Sequence, residues 1–478
     1  MPTIAFEADD YCADQTFVRA RYRFLGDEAG GWRVERDGKL ALELGPGYRA
    51  LRVRQCGVCS TDLARHQLPF RLPQVIGHEV VALGVDGTRY VVEINASHVA
   101  RRVVHDCAFC RAGLATHCPE RLVLGIHDLP GGFGPWVLAP IDACVPVPTN
   151  VPDAAAVLVE PFAAALHAAH TIAPRPGDRV AVLGPRRLGM LVVAALVGLR
   201  TRMRQRGADC TVAAVVRDPG LSALATTFGA DETFVLEGTG ARLEGTFDVV
   251  VDTTGNPDGL ATAVRLARRE VHLKSTHGQR SCGLRHLTAM VVDELGFAPF
   301  PRTPPVGEAA WDRLRTGPRP RIAWLANASP PAWLLARADV QCGDVFSLRE
   351  HFAAATEGLP RADVAVVDST LAADAAVRPC AGDERSLVRP RGSILVHPTA
   401  TVTDSPLLQA VVGRGLVLST SRCGEFRRAL ELLAADPELA RIGERLVTHR
   451  FPASRLAEAF TTARSRSCIK AVIEQATG

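Results

Sequence analysis

Gln55-Cys56-Gly57-Val58-Cys59-Ser60-Thr61-Asp62, followed after a short loop by Val75-Ile76-Gly77-His78-Glu79, is the stretch from which the rest of the chain can be read. Cys59, His78 and Glu79 offer one thiolate, one imidazole and one carboxylate. That mixed soft and borderline donor set suits Zn²⁺ with a position left open for water or substrate, a catalytic arrangement and not a closed structural one. The bland alternative makes Cys56 and Cys59 core thiols and His78 a satisfied buried histidine, because free Cys commonly packs as a small apolar residue.

Working outward, Leu51-Arg52-Val53-Arg54 alternates apolar and polar, as a half-buried strand does, and delivers the Cys59 loop at its end. Before it, residues 1 to about 50 alternate short β-like runs with Gly and Pro, closing at the turn signal Gly45-Pro46-Gly47. Beyond it, Gly177-Asp178-Arg179-Val180-Ala181-Val182-Leu183-Gly184 is a buried-strand run ending in glycine, and an apolar helix follows from Leu188 to Arg200. This is the first strand, turn and helix of a dinucleotide-binding fold, whose helix N-terminus receives the pyrophosphate. Gly184-Pro185-Arg186-Arg187-Leu188-Gly189 keeps the first and third glycines of the fingerprint but has Arg186 at the second. Arg186 either grips a phosphate or blocks the site. The second strand, Thr211 to Val216, ends without the acidic residue that would take the ribose hydroxyls of NAD, and Arg217 follows. A missing carboxylate beside an Arg favours NADP over NAD; the alternative is an ordinary surface Arg. Lys274, at the end of Val271-His272-Leu273, is a candidate to face the nicotinamide, with chance placement as the alternative.

The 478 residues imply two or more domains, and 47% hydrophobic with 22% charged residues describes an ordinary globular composition. Lys+Arg of 55 against Asp+Glu of 51 leaves +4, too small a surplus for nucleic-acid binding. The N-terminus lacks a basic flank followed by an apolar run, and the longest apolar run, Met190 to Leu199, is about half of the ~20 residues of a membrane span. A cytoplasmic protein with no membrane partner is the expectation. Thirteen Cys, an odd number with several at metal-ligand spacing, fit a reducing compartment better than a disulfide framework.

Cys-Gly-Val-Cys-Ser-Thr-Asp, Gly77-His78-Glu79 and Glu160-Pro161-Phe162, in this order and spacing, resemble the medium-chain dehydrogenase/reductase superfamily in its zinc-dependent alcohol dehydrogenase branch. The resemblance implies an α/β protein: a GroES-like β-rich catalytic domain over 1–155 and 416–478, and a doubly wound parallel-sheet Rossmann domain over 156–296. Residues 297–415 are an unusual insertion, either a partial second Rossmann-like unit or the source of strands for the main sheet. Two echoes mark it: Val366-Val367-Asp368-Ser369-Thr370 repeats Val250-Val251-Asp252-Thr253-Thr254, and Leu387 to Val396 repeats Leu266 to Lys274.

The same resemblance implies that Cys59, His78, Glu79 and Glu160 hold the catalytic zinc, and that Thr61 passes the substrate proton. Glu160 has an alternative as a helix-start carboxylate near the dipole, and Thr61 as a turn-capping residue. The His that relatives often carry three residues beyond Thr61 is Ala64 here, leaving His66 as a candidate exit. Cys107, Cys110 and Cys118 match the last three of four Cys in the family's structural zinc lobe, and the first falls on Val104. His105, Asp106 and His117 are the candidate fourth ligands; a metal-free loop of reduced thiols is the alternative. The activity so implied is hydride transfer between an alcohol or polyol, or the matching carbonyl, and NAD(P), in a homodimer or homotetramer built through the coenzyme domain. The damaged fingerprint and incomplete lobe raise an alternative, a dehydrogenase-like protein that binds a metabolite or partner without turnover; a zinc lyase is a third.

Overall fold

The computed structural model describes residues 3–275, 278–303, 315, 318–354, 358–378 and 385–476. The chain divides into two compact units, Met1–Ala163 with Cys423–Gly478, and Ala164–Arg422.

Among its described residues the first unit has two larger sheets and a two-stranded one that pairs Asn95–Ala96 with Leu122–Val123. Strands Thr3–Tyr11, Phe17–Asp27, Gly31–Arg36 and Lys39–Leu44 form an antiparallel meander. The second sheet is centred on Tyr48–Gly57, which pairs antiparallel with Glu79–Leu83, Trp136–Pro140 and Lys470–Glu474. Its inward residues Leu51, Val53, Cys56 and Val58 are buried with Ile76, Phe133 and Phe460. Cys56 is therefore a core thiol: a Cβ on Gly77, whose φ is +100°, would lie 2.9 Å from its Sγ. Register matters here, because Gly57 stands opposite Glu79 on one side and Val472 on the other.

Among its described residues the second unit has one 11-stranded sheet. Six parallel strands run in the order Glu232–Val235, Thr211–Val216, Arg179–Leu183, Phe247–Asp252, Ala267–Leu273, Val417–Thr420. Runs such as Val212 to Val216 and Val249 to Val251 are buried throughout, as strands covered on both faces must be. Helix Arg187–Arg204 buries Gly189 through Leu196. Helix Pro257–Leu266 starts where Asn256 accepts from the Asp258 amide at 2.9 Å with Pro257 in its first turn. The sheet continues through Gly296–Pro299, Val388–Thr401, Ala362–Ser369, Arg321–Trp324 and Asp339–Cys342. Strand Val417–Thr420, expected in the catalytic domain from residue 416 on, is instead the sixth strand of the parallel array. The chain leaves this sheet only after Arg422. No helix among the described residues is long and apolar enough to cross a membrane.

Candidate metal centres and dinucleotide edge

Cys59, at the end of the loop leaving strand Tyr48–Gly57, meets His78 and Glu79 at the start of the neighbouring strand. One ligand atom from each lies within 4.8 Å of the others, with Cys59 half-buried and the other two buried. Two residues outside the sequence-derived set hold this trio. Asp62, fully buried, accepts from the Cys59 amide at 2.8 Å through Oδ2, and its Oδ1 lies 3.2 Å from His78 Nδ1. That contact turns Nδ1 inward and leaves Nε2 as the ligand nitrogen, the role a carboxylate plays behind a metal-bound imidazole. Lys470, buried, forms an ion pair with Glu79 and donates to the Val58 carbonyl at 3.1 Å. A Cβ on Gly57 would lie 2.0 Å from Glu79 Oε2 and 2.9 Å from Lys470 Cε, so glycine is required where this pair crosses the strand.

The donors fit a metal. Burial lowers the His78 pKa, but the carboxylate of Asp62 and the thiol of Cys59 outweigh it and raise the value well above the ordinary one, which marks a pocket built for positive charge. His78 Nδ1 and Asp62 Oδ1 make no well-aligned hydrogen bond, although both are buried. Three donors of sulfur, nitrogen and oxygen, with no fourth residue among them, leave one tetrahedral position open. Glu160 lies in the first turn of helix Val159–Ile172 and stands outside this trio. Thr61 Oγ1 is 3.8 Å from Cys59 Sγ. His66 Nδ1 lies 3.3 Å from the Tyr11 hydroxyl and its Nε2 3.4 Å from Gln67 Nε2.

A second cluster joins Cys107, Cys110 and Cys118 to His98. His98 Nδ1 is 3.4 Å from Cys118 Sγ and 3.8 Å from Cys110 Sγ, and Cys107 Sγ is 3.9 Å from Cys118 Sγ. These are the ligand-to-ligand edges of a small tetrahedron with metal–donor bonds of about 2.0–2.3 Å. His98 Nε2 faces Glu120 at 3.4 Å, a carboxylate behind the imidazole again. Val104, where the family's first Cys would fall, is fully exposed, and of the fourth-ligand candidates read from sequence His105 stacks on His98 with ring centroids 5.2 Å apart and His117 Nδ1 lies 3.2 Å from the Thr116 hydroxyl, neither joining the group. Asp106 is also outside the group. His98 opens a short helix capped by Ser97, whose Oγ accepts from the Ala100 amide at 3.2 Å. It precedes Cys107 by more than any spacing rule covers, so the fold alone brings it in. Burial pushes the Cys118 thiol up to about 12 and raises the Cys110 thiol above its ordinary value.

At the carboxyl edge of the second unit's sheet, Gly184 has φ +70°, and a Cβ there would lie 2.5 Å from Thr254 Cγ2. A Cβ on Gly189 would lie 2.5 Å from Thr253 Oγ1, which donates to the Leu183 carbonyl at 2.9 Å. The first and third glycines are thus required by close packing of the turn and the helix against Thr253 and Thr254. Arg186, with φ −131° and ψ −106°, precedes helix Arg187–Arg204, with Leu188 half-buried in its first turn. Arg217 is exposed just past strand Thr211–Val216, and the nearest following carboxylate, Asp218, accepts from the Gly220 amide at 2.9 Å. Lys274 has a different role from the one its sequence position suggests. Its buried Nζ donates to the Ser421 carbonyl and hydroxyl, each at 3.1 Å, and to the Arg422 carbonyl at 2.7 Å, which accounts for all three protons. It is a tie between strands, not a nicotinamide contact. It ends a row of side chains hydrogen-bonded in series, Glu270, Ser419, His272, Ser421 and Lys274, the last three of them buried. Burial first, and then the Lys274 charge, hold His272 well below its usual pKa, so it sits neutral in the row.

A small antiparallel β-domain carrying a Cys/His/Glu trio, followed by a parallel dinucleotide-type sheet, defines the class. Residues 45–149 match the alcohol dehydrogenase GroES-like domain. An L-threonine 3-dehydrogenase of Rhizobium rhizogenes is 32% identical over 175 residues, 34% of this chain and 49% of the relative. The L-galactonate-5-dehydrogenase of Escherichia coli is 28% identical over 235 residues, 47% of this chain and 67% of that one. This chain spans about half the length of the threonine dehydrogenases it matches. The crystal structure of L-idonate 5-dehydrogenase from Escherichia coli has a similar fold, with a TM-score of 0.55 at 15% identity, covering 99% of this chain and 100% of that one. Residues 45–149 thus carry the GroES-like domain of alcohol dehydrogenases, and the chain shares the fold of the L-idonate 5-dehydrogenase.

Proposed function

We propose that the protein is a zinc-dependent oxidoreductase that transfers hydride between an alcohol or polyol, or the matching carbonyl, and NAD(P). The observation that carries this reading is the open trio of Cys59, His78 and Glu79, which a protein without chemistry has no physical need to assemble. These residues would hold Zn²⁺, which when bound polarises the substrate oxygen and lowers the pKa of its hydroxyl. Asp62 sets its carboxylate charge against the Nδ1 side of His78, and Lys470 balances Glu79 so that the pocket is not over-charged by carboxylate. Thr61, beside Cys59, takes the hydroxyl proton outward. Glu160, at its helix start, serves as an alternating ligand in this scheme. Gly184, Arg186, Leu188 and Gly189 receive the pyrophosphate, and Arg217 favours NADP by pairing with a 2′-phosphate where strand Thr211–Val216 offers no acid. The His98, Cys107, Cys110 and Cys118 cluster is assigned a structural Zn²⁺, supported by its spacing and by Glu120 behind His98. A cytoplasmic location is part of the same proposal, in keeping with described cysteines that are all free thiols.

Metal analysis of Cys59→Ala beside the parent protein tests the reading. The expected result is loss of one of two zinc equivalents together with all alcohol oxidation. Unchanged zinc content, or turnover without it, overturns the ligand assignment.

A further inference from the structure

The 11-stranded sheet contains one place where strand direction reverses. The six strands from Glu232–Val235 to Val417–Thr420 are mutually parallel, and so are Asp339–Cys342, Arg321–Trp324, Ala362–Ser369, Val388–Thr401 and Gly296–Pro299. Between these two arrays the contact is antiparallel, with Phe297 opposite Leu418.

Strand order repeats across that seam. Counted along the chain, the first array reads 3-2-1-4-5-6 from its outer edge. The second reads 2-1-4-5 in the same numbering, with no counterpart of strand 3 among the described residues, and Gly296–Pro299 fills the sixth place. The sequence echoes follow the order: Asp252 ends the fourth strand of the first array and Asp368 lies near the end of the fourth of the second. Two parallel arrays that meet edge to edge through the same position, in opposite directions, are related by a two-fold axis. That is the geometry of an isologous contact between two copies of one protein, realised here inside one chain.

The seam is built as an interior. Phe297 and Leu418 are fully buried. Thr420 Oγ1 donates to the Leu295 carbonyl at 2.7 Å, and the Arg422 amide donates to Glu294 Oε1 at 2.9 Å. One apolar core runs from Leu183 and Val250 through Leu418 and Phe297 to Ala365 and Ile394. An open sixth-strand edge would be a template for pairing with another chain, and the second array covers it.

The second array also closes its own ligand crevice. In an open α/β sheet, ligands sit where the strand order turns, which here is beyond Arg321–Trp324 and Ala362–Ser369. There Asp368 accepts from the Asn327 amide at 2.6 Å and its Nδ2 at 2.9 Å, and Trp324 Nε1 donates to the Ala328 carbonyl at 2.6 Å. The turn Leu325-Ala326-Asn327-Ala328 lacks glycine, and helix Ala332–Leu335 has 4 residues where its counterpart Arg187–Arg204 has 18. The crevice therefore lacks the glycine turn and the long helix that together cradle a diphosphate.

We infer that the second array is a built-in pseudo-subunit: it occupies in cis the place of a second copy, so the protein is a monomer with one dinucleotide site per chain. The stoichiometry rests on the cofactor reading above; the mass does not.

Sedimentation equilibrium of the full chain over about 1–100 µM is expected to return the mass of one chain at every concentration. A two-chain particle overturns the inference. In Phe297→Cys/Leu418→Cys the two positions are antiparallel neighbours, within the span a disulfide needs. Oxidation should join them within one chain, and peptide mapping that finds the bond between two chains overturns the inference. Calorimetric titration with NADPH and NADH should give one equivalent per chain. Two equivalents overturn the closed crevice. No binding of either refutes the cofactor reading, while a one-chain mass and an intrachain bond still support the pseudo-subunit.

Discussion

Lys470→Met removes one charge from the pair that braces the metal trio and keeps most of the side-chain volume. Lys470 and Glu79 are 4% and 1% exposed, so the carboxylate left behind has almost no water to solvate it. Removing one partner of such a buried pair costs about 3–5 kcal/mol. The Val58 carbonyl loses its donor as well. With a urea slope of ~3 kcal/mol/M, the unfolding midpoint should fall by about 1–2 M. The experiment is urea unfolding of chelator-treated protein, with Glu79→Gln/Lys470→Met as control. The double variant should recover most of the loss, because an uncharged amide tolerates the site. Zinc should shield Lys470→Met but not the double variant, since a cation bound beside Glu79 supplies the missing charge. A single variant that unfolds at the parent's midpoint with and without zinc would refute the argument that this ion pair stabilises the site.

Three further outcomes are expected. His98→Ala should lose the structural zinc equivalent and sensitise the 107–118 loop to proteolysis, whereas Val104→Cys should change neither, because Val104 faces solvent; limited proteolysis with metal analysis reads both. Asp252 is buried, which raises its pKa from 3.8 to about 6. The sign follows: the folded state holds the proton more tightly, so there is no penalty below about pH 4, a growing one up to about pH 6, and a constant ~3 kcal/mol above it. Asp252→Asn can keep the acceptor for the Thr254 amide and hydroxyl. It should therefore be more stable than the parent at pH 8 and equal to it near pH 4 in denaturation series, and a constant difference across pH would refute the assignment. Arg217→Ala should weaken NADPH binding about tenfold, the scale of one charge-assisted hydrogen bond, and leave NADH unchanged; equal effects on both would remove the NADP preference.

What lies close along the chain could be read from residue order alone. Cys59, His78 and Glu79 were legible because two adjacent strands and their loops carry all three, so chain spacing stands in for spatial distance. The glycine turn at Gly184 and the apolar run after it were legible because buried parallel strands and their helices are written as composition. Contacts between distant segments were not. Lys470 reaches the Cys59 loop from 412 residues beyond Val58, the carbonyl it caps. Lys274 looked free for a cofactor until the fold set Ser421, 147 residues on, against its ammonium. His98 joins three cysteines because a capped turn folds it over them, and no ligand-spacing pattern encodes that turn. The place of Val417–Thr420 and the reversal at Phe297 were likewise decided only in three dimensions. Periodicity reports that a strand is buried on both faces, but partner and direction are set by edge hydrogen bonds and packing among residues far apart in the chain.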